Sequence, residues 1–357
     1  MSENICSFLT PAMCDAHVHY REATDDAIMQ SLICYSYQGG ADYGGPMPNT
    51  KAGLLKAKDV ASYNSHARSL VPSNVEMGFL PYLMINEQTT VDDIKEAMDL
   101  GIRDGKIYPL NRTTLSQYGV ARYGKLIPVI GYCGEAGFRV HMHPEHPVMD
   151  YSHREAELAF LPIMQVLLEE TDAILFWEHG STGECIVHWK RMARNFPGRF
   201  YLTICAHHLA THEDEVRGDV SATCNPSIKT WASMIALRQL VAEDHEWVLA
   251  ISDTAYHPIG MKHVFNGRCS CGCLTAPFLM PLFAHALSDL LKTPPGIAIF
   301  GRFTSDNARK AYGLPAATRL IKLAQEEWTI PKTYPVGSEI GLPFWGQKKL
   351  LWQIEPE

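Results

Sequence analysis

His17-Val18-His19 places two imidazoles two residues apart in a stretch of strand character. In a β-strand, residues i and i+2 share a face, so the pair can hold one metal ion from the same side. Arg21 falls just past the strand end, where its guanidinium can grip an anion beside the metal. His141 closes the run Phe138-Arg139-Val140, and His179 closes Ile174-Leu175-Phe176-Trp177-Glu178. Both repeat the pattern of the N-terminal pair, and neutral imidazole suits zinc and similar divalent ions. Asp253 ends the apolar run Trp247–Ser252. A carboxylate there is either a buried partner or a functional group that ligates a metal and moves a proton. Lys106 sits inside Gly105-Lys106-Ile107-Tyr108-Pro109. It reads either as a snorkelling or salt-bridged lysine, or as one carboxylated by CO₂ to a carbamate that bridges two metals. Burial favours the neutral amine that this modification requires.

The elements that must position these groups alternate along the chain. Strand-type runs cover Ala12–His17, Gly39–Pro46, Glu76–Ile85, Gly105–Tyr108, Phe138–Met142, Ala173–Glu178, Phe200–Ala206 and Trp247–Ser252. Amphipathic segments such as Val91–Leu100, Arg154–Glu170 and Lys229–Ala242 lie between them, with apolar residues at three-and-four spacing. Eight strands alternating with helices predict an α/β fold of the TIM (β/α)₈ barrel type; a doubly wound open sheet is the alternative. The polar residues favour the barrel. His17, His19, Asn49, Lys106, His141, His179 and Asp253 stand at or just beyond strand C-terminal ends, which a barrel gathers on one face and an open sheet spreads along a line.

Composition narrows the function classes. The 357 residues suit one large domain or two small ones, with 46% hydrophobic and 20% charged residues as in globular proteins. A net charge of -8 argues against a general nucleic-acid or anionic-membrane binder, though not against an anionic small molecule. No apolar run approaches the length of a membrane span, and Met1–Pro11 lacks the pattern of a signal peptide, so the chain is expected in the cytoplasm. The ten cysteines then read as reduced thiols. Cys269, Cys271 and Cys273 lack the spacing of a structural zinc site and read as a Gly/Cys-rich loop.

The ordered set His17-x-His19-x-Arg21, Asn49, Lys106, His141, His179, Asp253 and His257 resembles the amidohydrolase superfamily. Within it, the chain is similar to the class II dihydroorotases, the short bacterial and fungal type. The supporting stretches are Met47-Pro48-Asn49-Thr50, Lys106-Ile107-Tyr108-Pro109 with Asn111, Thr113 and Thr114, Cys271-Gly272-Cys273 before Ala276-Pro277, and Ala311-Tyr312-Gly313-Leu314-Pro315. They span about Asp15 to Pro315, nearly the whole chain.

The resemblance implies a zinc-dependent dihydroorotase of pyrimidine biosynthesis, reversibly hydrolysing dihydroorotate to N-carbamoyl-aspartate. It implies two Zn²⁺ ions per chain, one held by His17, His19 and Asp253 and the other by His141 and His179, bridged by carboxylated Lys106. The ions supply a hydroxide, Asp253 carries the proton, and Arg21, Asn49 and His257 grip the substrate carboxylate. Thr113 and Thr114 match a loop that closes over substrate. A homodimer is expected on the same ground. Residues 1–357 are expected to form a single barrel domain, with 316–357 as an extension packed on it.

Three stretches depart from the family pattern. Met142-His143-Pro144-Glu145-His146 follows His141 where Gly-Glu is usual, so His143 is either a supporting group or an extra ligand on the same strand face. Cys205-Ala206-His207-His208 replaces Thr-Pro-Gln-His and leaves His208 as the matched histidine, and Tyr256 replaces a proline before His257. The other readings to be separated are a hydantoinase or dihydropyrimidinase, which has no need of the carboxylate grip, and a catalytically silent scaffold.

Overall fold

The computed structural model describes residues 5–22, 24–264 and 269–355. After an outer strand β1 (Ser7–Pro11), the predicted runs appear as β2 (Met13–His19), β3 (Ala41–Pro46), β4 (Gly78–Phe79), β5 (Tyr82–Met84), β6 (Asp104–Ile107), β7 (Arg139–Met142), β8 (Leu175–Trp177), β9 (Phe200–Cys205) and β10 (Val248–Ile251). From β5 to β10 most residues are buried on both faces of the sheet, which is why the runs are apolar throughout and do not alternate.

The run expected at Glu76–Ile85 is two strands. Pro81, which has no N–H to donate, interrupts it. β4 pairs with β3, and β5 pairs with β6, so one stretch of chain carries the ring from one sheet to the next. Every neighbouring pair is parallel, in the orders β2-β3-β4 and β5-β6-β7-β8-β9-β10. The ring closes where β10 meets β2. There the Asp253 amide donates to the His17 carbonyl at 3.0 Å, and the Ser252 amide donates to the Asp15 carboxylate at 2.8 Å. The short strand β11 (Thr254–Ala255) then pairs with the end of β2. The result is the (β/α)₈ barrel.

Helices form the outer ring, starting where local chemistry permits. Thr90 and Asp93 cap helix Val91–Asp99 reciprocally, and its apolar face buries Ile94 and Ala97. Thr230 caps helix Trp231–Ala242 by accepting from the Ser233 amide, which moves the start expected at Lys229 by two residues. Outside the barrel, β1 pairs antiparallel with β12 (Leu320–Ala324), and β12 with strand Gln353–Ile354. Ile330, Phe344, Trp345 and Trp352 from the tail are buried, and the Phe344 amide donates to Leu274 at 3.0 Å. Among the described residues, no helix is long and apolar enough to cross a membrane.

Candidate active site

The C-terminal ends of the barrel strands converge on a narrow cleft lined by His17, His19, Arg21, Asn49, Tyr108, Thr113, Thr114, His143, His179, Asn225, Asp253 and Gly272, among others. A larger cavity, about 540 Å³, lies elsewhere beside the Asp42–Arg309 ion pair and contains none of the histidines, Lys106 or Asp253. The small cleft carries the chemistry.

His17 and His19 project from the end of β2, and the Nε2 atoms of both lie 3.2 Å from Asp253 Oδ1. His17 Nδ1 faces Glu178 Oε2 at 2.7 Å, so the imidazole is oriented with Nε2 toward the cleft. Burial and Lys106 push the His17 imidazolium down, but Asp253 and Glu178 together carry it above its ordinary value. Burial lowers His19 to about 4 despite Asp253. Asp253 is itself held well below the carboxylate range: burial opposes ionisation, and the histidines around it outweigh burial. Two imidazole nitrogens converging on one carboxylate oxygen call for a positive charge between them, which a divalent cation supplies.

Lys106 extends from β6, fully buried, and its Nζ has no hydrogen-bond partner. Burial depresses its amine from the usual lysine value. Its Nζ lies 5.4 Å from the Tyr108 ring centroid, and the Glu178 and Asp253 carboxylates favour its charge without overcoming burial. No carboxylate forms a salt bridge with it among the described residues, so the salt-bridged reading of Lys106 fails. His179 at the end of β8 is also buried with Nδ1 unpartnered, and burial lowers it well below the usual imidazole value. A buried amine and a buried imidazole left without partners are costly unless something else occupies the space between them.

His141 is not brought into the cleft. Its Nδ1 faces Glu178 at 2.7 Å and its Nε2 faces Asp104 at 3.0 Å, so neither ring nitrogen is open to a metal. The ring stacks on Phe176, with centroids 4.2 Å apart, and has Tyr82 against its edge. His143, two residues further along the same face, takes the position at the cleft, with its ring centroid 4.6 Å from that of His179. Its Nε2 faces Glu145 at 2.8 Å, which leaves Nδ1 for the cleft. His143 alternates with His141 in the sequence, so the signal was present; depth in the barrel decides between them. Glu178 and Glu145 were not singled out from the sequence, although each adjoins a histidine that was.

The proposed anion grip lies to one side of the histidines. Arg21 Nε donates to the Tyr256 carbonyl at 2.5 Å, and its Nη2 lies 3.0 Å from His257 Nε2. His257 Nε2 faces the Cys271 carbonyl at 2.8 Å; burial first and then Arg21 lower its pKa to about 2, so it is neutral. Asn49 accepts from the Tyr108 hydroxyl and donates to the Thr114 carbonyl, both at 3.0 Å. That bond, with Thr114 Oγ1 donating to Cys271 at 3.4 Å, draws the loop carrying Thr113 and Thr114 over the cleft. Gly272 opposite them is obligatory: its φ is +150°, and a Cβ would lie 2.6 Å from the Ala255 carbonyl oxygen.

The backbone is strained at the same residues. Arg21, His179 and Asp253 all have positive φ, at 68°, 41° and 45°. Such conformations cost on the order of 1–3 kcal/mol each and persist where the surroundings over-determine them. Around His179 that restraint is Glu157, which accepts from Trp177 Nε1, the Ser181 amide and hydroxyl, and Thr182.

Comparison with known proteins follows the same line. No family model matches the chain. A curated dihydroorotase of Variovorax paradoxus is 27% identical over 349 residues, covering 95% of this chain and 96% of the relative. The crystal structure of Saccharomyces cerevisiae dihydroorotase in complex with 5-fluoroorotic acid superposes with a TM-score of 0.88 at 25% identity, covering 99% of this chain and 100% of that one. The chain is a homologue of the dihydroorotases. Its fold is that of the amidohydrolase superfamily. An L-hydantoinase of Arthrobacter aurescens shares the fold with a TM-score of 0.79 at 13% identity, over 98% of this chain and 83% of that one.

Proposed function

We propose that the protein is a dihydroorotase, opening the ring amide of dihydroorotate to N-carbamoyl-aspartate and closing it again in pyrimidine biosynthesis. The observation that carries this reading is a pairing within one cleft. His143, unpartnered His179 and the His17–His19–Asp253 group line it together with Arg21 and Asn49; buried, unpartnered Lys106 acts electrostatically on His17 and His179, and His257 stands against Arg21. The first four histidines, Asp253 and Lys106 fit a metal pair; Arg21, Asn49 and His257 fit a carboxylate, which hydantoins lack.

The donors suit two zinc ions. His17, His19 and Asp253 would hold one, His143 and His179 the other, and Lys106, carboxylated on Nζ, would bridge them. His143 stands here in place of His141, whose nitrogens are both taken by carboxylates. When bound, the pair supplies an ionised water at neutral pH and polarises the amide carbonyl.

The chain's own residues do the rest. Arg21 receives the substrate carboxylate through its guanidinium, and neutral His257 and Asn49 add hydrogen bonds without adding charge. Asp253, held ionised, takes the proton of the attacking water and delivers it to the departing ring nitrogen as the C–N bond breaks. The Thr113–Thr114 loop excludes bulk water while this happens. Glu178 and Glu145 fix the ring orientations of His17 and His143. We further take the protein to be a cytoplasmic homodimer.

Purified protein supplied with zinc and bicarbonate should open dihydroorotate, close carbamoyl-aspartate and carry two ions per chain in the cleft. Turnover of hydantoin or dihydrouracil without dihydroorotate would replace this reading by another cyclic amidohydrolase. No metal and no turnover of any of them would make the chain a silent scaffold.

A further inference from the structure

Among the described residues, three groups of histidine, cysteine and acidic side chains have ligand atoms within 4.8 Å of one another. One is His17, His19 and Asp253. The other two share His207: it meets Cys224 and Cys273 in one group, and Cys205 and His208 in the other. All five of these residues are buried.

His207 is the anomaly. It is 0% exposed, and neither ring nitrogen has a hydrogen-bond partner. A neutral imidazole carries one donor and one acceptor, and buried polar atoms of this kind are nearly always satisfied. His208 beside it shows the ordinary solution, with Nε2 facing the Pro226 carbonyl at 3.2 Å. The polar group beside His207 is instead the Cys224 thiol, which also meets Cys273 and lies 3.2 Å from the Pro226 carbonyl. What it faces are two sulfurs, which are poor partners for an imidazole but, as thiolates, strong ligands for the cation an imidazole also binds.

We propose that His207, Cys224 and Cys273 form a structural site for a soft divalent cation such as zinc, separate from the catalytic cleft. Two thiolates and an imidazole provide three corners of a tetrahedron, and Cys205 and His208 stand within reach of His207 for the fourth. Each thiol that ligates gives its proton to solvent. The three donors come from segments distant in sequence: the turn after β9, the segment following Ala222, and the return that pairs with Thr254. Cys224 adjoins Asn225, and Cys273 adjoins Gly272, both of which line the cleft. The Gly272 amide already donates to Thr223 at 2.8 Å, so the ion fastens two segments that the backbone brings together. Of the Cys269-Cys271-Cys273 run, only Cys273 takes part, which is why the run lacks the spacing of a zinc motif.

Cobalt(II) gives a test that separates this site from the catalytic cleft, whose proposed ligands bind through nitrogen and oxygen; Cys271→Ser, at the sulfur lining that cleft, should leave the signal in place. Protein produced with cobalt as its transition metal should show thiolate-to-cobalt charge-transfer absorption in the near ultraviolet. The double variant Cys224→Ser, Cys273→Ser should lose that band and one ion per chain. His207→Gln should weaken or shift it, and His17→Ala should leave it in place. Bound cobalt without the band, a band that survives the double variant, or a Cys224–Cys273 disulfide in the isolated protein would each overturn the site. Should the double variant fail to fold, X-ray absorption of the zinc-loaded wild-type protein decides: a sulfur shell at about 2.3 Å is expected, and its absence overturns the proposal.

Discussion

Two tiers of side chains fill the upper barrel, and they differ in how completely their polar atoms are satisfied. In the lower tier His141 lies between Glu178 and Asp104, Asp104 accepts two bonds from Arg139, and Phe176, Tyr82 and Tyr312 pack around the ring. In the upper tier Lys106 Nζ and His179 Nδ1 have no partner, and the two histidines of β2 converge on one carboxylate oxygen. The same residue types occur in both. The lower tier uses them to hold strands together; the upper leaves its valences open for something the chain does not itself provide. Glu178 belongs to both tiers, with one carboxylate oxygen on His141 and the other on His17.

The contrast is most exposed at Lys106. Lys106→Ala should remove the bridge and lower turnover by on the order of 10⁴-fold, with metal content falling in parallel. Compared metal-free with metal-free, thermal stability should hold or rise, because a buried unpaired amine goes with it. Turnover within tenfold of wild type would show that Lys106 is only a core residue.

His141, in β7, and His143, just past its end, should fail in opposite ways. His143→Ala should cost ~10³-fold in turnover and one ion per chain, while the fold stays intact. His141→Ala should retain both ions yet lose about 3 kcal/mol of stability, since it strips a shared partner from two buried carboxylates. Calorimetry and metal analysis on the pair check this; the reverse pattern would exchange the tiers.

A smaller effect is expected at the grip. Arg21→Ala should raise KM by ~10²-fold, the value of a charge-assisted hydrogen-bond pair, with metal content unchanged. Metal loss in that variant would move Arg21 into the metal tier.

The smallest effect concerns pH. Burial lowers the pKa of His19, His143, His179, His208 and His257 in the folded chain. The unfolded chain therefore binds more protons below about 6.5, and the metal-free protein should lose stability as pH falls through that value. His208→Gln, which keeps a donor for Pro226, should flatten the slope measured by thermal unfolding between pH 8 and 5.5. An unchanged slope would mean that His208 does not contribute.

Much of this architecture was legible before the fold. The parallel strands are buried on both sides, so their sequences are continuous apolar runs, and the ligand-type residues punctuate their ends. What escaped was depth. His141 and His143 are two residues apart, so sequence periodicity is identical for both; only the step from inside β7 to just past its end separates a packing residue from a cleft residue. Pro81 did mark the break between β4 and β5, but its effect on pairing depends on which neighbours each half meets. His207 stands out in the sequence only as a departure from Thr-Pro-Gln-His, because its sulfur neighbours come from segments far along the chain.

The closing seam between β10 and β2 gives the site a mechanical role. Most neighbouring strands are joined by regular backbone ladders, but β10 itself reaches β2 only through the Asp253 amide on the His17 carbonyl and the Ser252 contacts with Asp15 and His17, before the two-residue β11 pairs with the end of β2. His17 and Asp253, on opposite sides of that seam, are also proposed ligands of the same ion. The ion would then act as a clasp on the hoop as well as a reagent, so its affinity and the resistance of the seam to opening are one linked free energy. An enzyme built this way cannot be stripped of its chemistry without also being loosened at its joint.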